Sequence, residues 1–159
     1  MGRGGVQVVA RNRKALHDYD IEERHEAGLV LTGTEIKSIR EGRVNLRDGY
    51  VRPRDGELWL LDVHIGSYKP AGRYFGHDPK RPRKLLLHRY EIDRLIADLE
   101  RSGYTIVPLQ MYLKRGLAKV EIALAKGKRE HDKRRAIAER DAQREVERAM
   151  RDRARDRHR

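Results

Sequence analysis

Residues 105–124 alternate apolar and polar side chains with a period of two, and no other feature of the chain restricts its fold as much. Val107, Leu109, Met111 and Leu113 fall on one face of a strand at 105–113. Val120, Ile122 and Leu124 fall on the same face of a strand at 117–124. That period fits sheet with one side buried and excludes helix. Lys114, Arg115 and Gly116 join the two strands as a hairpin, which leaves Gln110, Tyr112, Lys119 and Glu121 on the outer face.

Other segments extend the same antiparallel picture. Residues 6–10 are a short apolar run suited to an edge strand, and 16–31 read as extended, with Tyr19 and Ile21 between polar neighbours. Thr32 or Thr34 can cap a short helix in which Ile36 and Ile39 share a face and Gly42 supplies the left-handed stop. Asp55 and Gly56 mark a hairpin turn between strands at 50–52 and 58–65. Residues 66–83 are a Gly/Pro/basic loop, of a length that is functional or disordered in most proteins. From 90 to 101, Ile92, Leu95, Ile96 and Leu99 recur at helical spacing, and Ser102 and Gly103 end the helix. Several short strands with two helices and no βαβ rhythm predict a mainly β fold, a small antiparallel β-barrel with flanking helices.

The barrel must come from residues 12–125, because 126–159 cannot build a core. That tail has 14 Lys/Arg, 8 Asp/Glu and almost no large apolar side chain. From about 132 it has helical spacing, with Glu147–Arg151 at i+4 and Asp141–Arg144, Glu145–Arg148 and Asp152–Arg155 at i+3. Each pair adds ~0.2–0.5 kcal/mol, too little to offset helix nucleation with certainty. The tail is therefore expected to be largely disordered when free and helical when docked. The expected organisation is a flexible N-terminus and edge strand at 1–11, a core at 12–125 and a basic tail at 126–159.

Charge selects the partner. The formal net charge is +12 and the pI near 10.2. The tail carries +6 of it, and residues 1–125 the other +6 (23 basic minus 17 acidic). A phosphate backbone is the leading partner. A membrane surface ranks below it, because the tail has no stripe of Trp, Phe or Leu to insert. The apolar run at 6–10 is too short for a signal sequence, no stretch approaches a membrane span, and a cytoplasmic location is expected. The chain has no cysteine, no HxH or HxxxH pair, no GxSxG, no P-loop and no dinucleotide glycine motif. Catalytic residues, metal and cofactor are all expected to be absent.

Three surfaces suit RNA. Asn12, Arg13 and Lys14 gather donors beside the His17 ring. Arg81, Arg83 and Lys84 belong to a basic run at 80–84 that leads into Leu85, Leu86 and Leu87, and at least two of those leucines are expected inside. Lys119 and Tyr112 share the outer face of the last hairpin. Glu26 can accept hydrogen bonds from a base edge or a 2′-hydroxyl. Residue type alone fits solvated basic surface and ordinary ion pairs equally well.

In this order, NRKALHDY (12–19), IEE (21–23), EAGLVLTGTEIKSIREG (26–42), VNLRDGYV (44–51), HDPKRPRKLLLH (77–88) and AKGKREHDKR (125–134) resemble the SmpB family, which binds tmRNA (SsrA RNA) in trans-translation. The resemblance spans about 12–150. It implies a barrel of the oligonucleotide-binding (OB) type that holds the elbow and D-loop region of the tRNA-like domain of tmRNA. Glu26, Leu86 and Lys119 match family positions tied to tmRNA binding, and Asn12 and His17 match the N-terminal signature. Gly127, Lys128, Arg129, His131, Asp132, Lys133, Arg134, Ala149 and Met150 match tail positions needed on the ribosome. There, by resemblance, the tail enters an empty mRNA channel, turns helical and brings His131 near decoding-centre bases of the small-subunit rRNA. Implied partners are tmRNA, the ribosome and, through tmRNA, elongation factor Tu and alanyl-tRNA synthetase. Asp20, His25 and Gly76 depart from the family pattern. The alternative is a structural ribosomal protein with an rRNA-penetrating basic tail.

Overall fold

The alternation at 105–124 becomes the longest strand pair of the protein. β8 (Tyr104–Lys114) and β9 (Leu117–Gly127) run antiparallel, joined by Arg115 and Gly116 at φ of +52° and +78°. Positive φ at both positions gives the tight turn whose twist matches that of a hairpin. The computed structural model describes residues 5–67, 77–128 and 130–157, without the side chains of 130–139 and 155–157. It divides into two units, Met1–Gly127 and Lys128–Arg159.

In the first unit β8 pairs on one edge with β9 and on the other with both β1 (Val6–Arg11) and β4 (Tyr50–Arg54). β4 continues to β5 (Glu57–Leu61), β7 (Arg83–Leu86) and β2 (Tyr19–Leu29), and β2 returns to β9. The ring β8-β4-β5-β7-β2-β9 is thus a closed antiparallel barrel, and closure leaves few free edges. Asp55 and Gly56 form the expected turn between β4 and β5, at φ of +53° and +76°. The strand expected at 58–65 is broken at Asp62 (φ +56°), and its end pairs separately, as β6 (His64–Ile65) with β3 (Val44–Asn45).

Among the described residues three helices cover the barrel. α2 (Gly33–Arg40) starts at Thr32, whose side chain accepts from the Glu35 N–H while the Glu35 carboxylate accepts from the Thr32 N–H. α3 (Arg89–Leu99) buries Ile92 and Leu95 against the core, as its spacing requires. α1 (Arg13–Asp18) falls partly in the stretch expected to be extended. Asn12 caps it, accepting from the Ala15 N–H at 3.1 Å and donating to the carbonyls of Leu46 (3.0 Å) and Pro108 (2.9 Å). The cap outweighs the weak alternation of this segment.

Two expectations about β8 need correction. Val107 and Leu109 do not point into the barrel with Met111. They join Ala15, Ala123 and Ala125 in a second cluster beneath α1, and Ile106 takes the inward position. The cause is a bulge: Pro108 opposes Ile122 and Gln110 opposes Glu121, so Leu109 is an extra residue that inverts the parity of the strand. Tyr112 lies on the outer face as expected, yet only 6% of it is exposed.

Among the described residues the second unit is the helix α4 (Glu130–Arg157). Every described side chain from 140 to 154 is exposed. The pairs Asp141–Arg144, Glu145–Arg148 and Glu147–Arg151 do not close as ion pairs. Arg151 donates instead to the Glu147 carbonyl (3.5 Å) and Gln143 to the Glu147 carboxylate (3.4 Å). Solvent screens exposed pairs of this kind enough that side-chain entropy keeps them open. Asp152–Arg155 lies outside the described side chains. Among the described residues no helix is long and apolar enough to cross a membrane.

Candidate nucleic-acid interface

Strand register brings Glu26, Leu86 and Lys119 to one outer face of the barrel. Leu86 on β7 opposes Gly28 on β2, Gly28 opposes Lys119 on β9, Lys119 opposes Tyr112 on β8, and Tyr112 opposes Val8 on β1. These five residues form a single rung across five strands. Glu26, two residues before Gly28 on β2, shares the face. The glycine matters here, since a Cβ at position 28 would stand 3.3 Å from Leu86 Cβ and 3.7 Å from Lys119 Nζ. Its absence lets the apolar and cationic side chains approach each other.

Leu86 is the exposed member of its run, at 51%, whereas Leu85 is fully buried. One rung farther, Lys114 opposes both Leu117 and Val6, and Val6, Val8 and Leu117 are exposed as well. The face therefore presents apolar patches beside Lys114, Lys119 and one carboxylate.

That carboxylate is held firmly. The Tyr112 hydroxyl donates to Glu26 Oε2, and Lys114 Nζ stands 3.4 Å from the same oxygen. The Tyr112 hydrogen bond, with help from Lys114 and Lys119, keeps the Glu26 carboxyl below the usual carboxylate range against the opposing effect of burial. Burial and the bond to Glu26 push the Tyr112 phenol upward, so it stays protonated and remains a donor. Both partners use Oε2, and among the described residues Oε1 is left to accept from a ligand. A carboxylate acceptor beside a lysine and a leucine suits an unstacked nucleotide, with its amino or 2′-hydroxyl donors, its phosphate and its apolar faces.

Other residues expected at the interface lie elsewhere. Asn12 is 2% exposed and fully engaged as the cap of α1, and Arg83 is 0% exposed. Arg83 donates to Glu35 (2.6 Å) and to the carbonyls of Val63 (2.7 Å) and Pro79 (3.1 Å). Both side chains are interior anchors, held by buried hydrogen bonds that would have to break before either reached the surface. Arg81 is tied to the same carboxylate at 2.5 Å, and Lys84 is half-buried at the outer face of β7. Lys14 pairs with Asp48 at 3.4 Å, and the His17 ring is exposed with Nδ1 3.0 Å from Asp18. Gly127 ends β9 opposite Tyr19, and Lys128 follows it. Arg129 lies outside the described residues. His131, Asp132, Lys133 and Arg134 fall within α4, with side chains outside the described set, and Ala149 and Met150 are exposed on that helix. Tyr112 as the partner of Glu26 and Gly28 as a spacer emerge only from strand register.

A family model described as SmpB protein matches residues 9–152. The SsrA-binding protein of Roseiflexus castenholzii is 62% identical over 154 residues, 97% of this chain and 98% of the relative. That of Bacillus cereus is 55% identical over 153 residues, 96% of this chain and 98% of the relative. A solved structure reported as "tmRNA-SmpB: a journey to the center of the bacterial ribosome" superposes with a TM-score of 0.66 at 46% identity, over 80% of this chain and 93% of that one.

Proposed function

This chain belongs to the SmpB family, and we propose that it is the tmRNA (SsrA RNA)-binding adaptor of trans-translation. The observation that carries this reading is the rung that sets Leu86 and Lys119 beside the Tyr112-anchored Glu26. The names of the relatives and of the matched structure agree with it. The barrel holds the tRNA-like part of the RNA at this face. Glu26 Oε1 accepts from a base or ribose donor, Lys119 and Lys114 meet phosphate, and Leu86 covers an unstacked base. The unit beginning at Lys128 enters the vacant mRNA channel of a stalled ribosome, where rRNA phosphates match its cationic helix. A channel that still contains message has no room for it, so occupancy is sensed as available volume. Elongation factor Tu and alanyl-tRNA synthetase act through the bound tmRNA, and the protein itself performs no chemistry.

Filter binding of SsrA RNA against an elongator tRNA at moderate salt tests this reading. The wild type should prefer SsrA RNA. Glu26→Gln should lose roughly tenfold or more, because a hydrogen bond to a charged group contributes ~1.5–3 kcal/mol. Titration gives the sign. Binding needs the carboxylate, so wild-type affinity is retained until the pH falls through the depressed pKa of Glu26. In Tyr112→Phe the largest depressing contact is gone, and affinity should fall away at a higher pH than in the wild type. Equal binding of both RNAs, or a Glu26→Gln variant at full affinity, would refute the proposal.

A further inference from the structure

We infer that a groove lined by Arg11, Arg13 and Arg24 carries the phosphate backbone of the same RNA whose nucleotide is held at the Glu26 rung. This rests on the function proposed above and extends its footprint beyond the positions that resemblance supplies. Register places the groove. Arg11 on β1 opposes Gln110 on β8, Gln110 opposes Glu121 on β9, and Glu121 opposes Glu26 on β2. Arg24 lies two residues before Glu26 on the same face of β2. Arg13 and Leu16 approach from α1, and the bulged Leu109 forms the floor of an open groove of ≈ 320 Å³.

Its chemistry points to phosphate. Three guanidinium groups from three different elements line the groove beside one carboxylate, Glu121, which stands 3.4 Å from Arg24. Among the described residues Arg11 and Arg13 have no ion-pair partner, and both are exposed. Arginine forks match phosphate oxygens in bidentate geometry, and a groove with an excess of two such charges attracts polyanion without reading sequence. The face then divides its tasks along β2. Position 24 holds backbone, 26 accepts from a nucleotide, and 28 gives Leu86 and Lys119 their close approach. An RNA strand can follow that line continuously, since the two rungs are about 7 Å apart at ~3.4 Å per residue.

The test is the salt dependence of SsrA RNA binding by the full chain carrying Arg11→Gln and Arg24→Gln. Both side chains are exposed, and an unchanged circular dichroism melt verifies the fold. Each lost phosphate contact lowers the log–log salt slope by about 0.7–0.9, so this variant should show a slope shallower by about 1.5 and an affinity reduced roughly tenfold at physiological salt. Arg52→Gln with Arg54→Gln removes the same charge from the exposed β4–β5 hairpin and should leave the slope nearly unchanged. A wild-type slope in the groove variant, with the wild type itself binding SsrA RNA, overturns the groove and leaves the proposed function intact. An equal drop in the hairpin variant also overturns it, since net charge would then account for the effect. Failure of the wild type to bind SsrA RNA sinks the proposed function, and the groove with it.

Discussion

Truncation after Gly127 is expected to abolish peptide tagging on stalled ribosomes while SsrA RNA affinity stays within about tenfold of the wild type. The cut spares the barrel: β9 ends at Gly127, whose pairing with Tyr19 closes the strand, and the chain divides at that point. What is lost is α4 and most of the tail's charge. The proposed grip consists of Glu26, Leu86, Lys114 and Lys119, all of which the cut leaves in place. On the ribosome, under the proposed function, the residues beyond the cut should be indispensable, because they are the segment that occupies the channel. A gel shift with SsrA RNA and a tagging assay on a message lacking a stop codon measure the two halves. If truncation costs more than about tenfold in RNA affinity, and as much as Glu26→Gln does, the two units do not divide the work as proposed.

The sequence contains part of this arrangement openly. Period-two alternation places Tyr112 and Lys119 on an outer face without any knowledge of partners, because the two strands are adjacent in the chain. Pro108 is the one local sign of the bulge, since proline within a central strand is tolerated at such irregularities. It does not fix which residue is extra, so alternation alone puts Val107 and Leu109 on the wrong side. Asn12 carries a cap signature before RKALHD, but its basic neighbours direct attention to phosphate. Arg83 is the clearest case. A basic residue in a basic run reads as surface, and the carboxylate that draws it inside lies 48 positions earlier. Burial of a charge depends on a partner from another element, and no local pattern encodes that.

Replacing Glu35 is therefore expected to have the largest effect on stability, with Glu35→Ala costing ~3–5 kcal/mol. The carboxylate is fully buried at the third position of α2 and serves three donors at once: the Thr32 N–H (2.9 Å), Arg81 (2.5 Å) and Arg83 (2.6 Å). Its removal leaves the Arg83 guanidinium uncompensated in the interior. Arg83 in turn fixes residues 78 and 79 and the start of β7, so Leu86 and Lys84 lose their anchor along with the helix cap. Burial alone would raise the Glu35 carboxyl, but the bonds from Arg81, Thr32 and Arg83 outweigh it and hold the pKa at about 2, against an ordinary 4.5. A depressed carboxylate pKa contributes stability that is present above the unfolded value and lost as pH falls towards the folded one. Denaturant melts should accordingly show wild-type stability eroding between about pH 4.5 and 2, and Glu35→Gln, weaker throughout, should lack that part of the slope. Removing both charges, as Glu35→Leu with Arg83→Met, should restore much of what either single change loses, because no buried ion is then left unpaired. A Glu35→Ala melt within ~1 kcal/mol of the wild type would show that the pair is solvated and that β7 is anchored by other contacts.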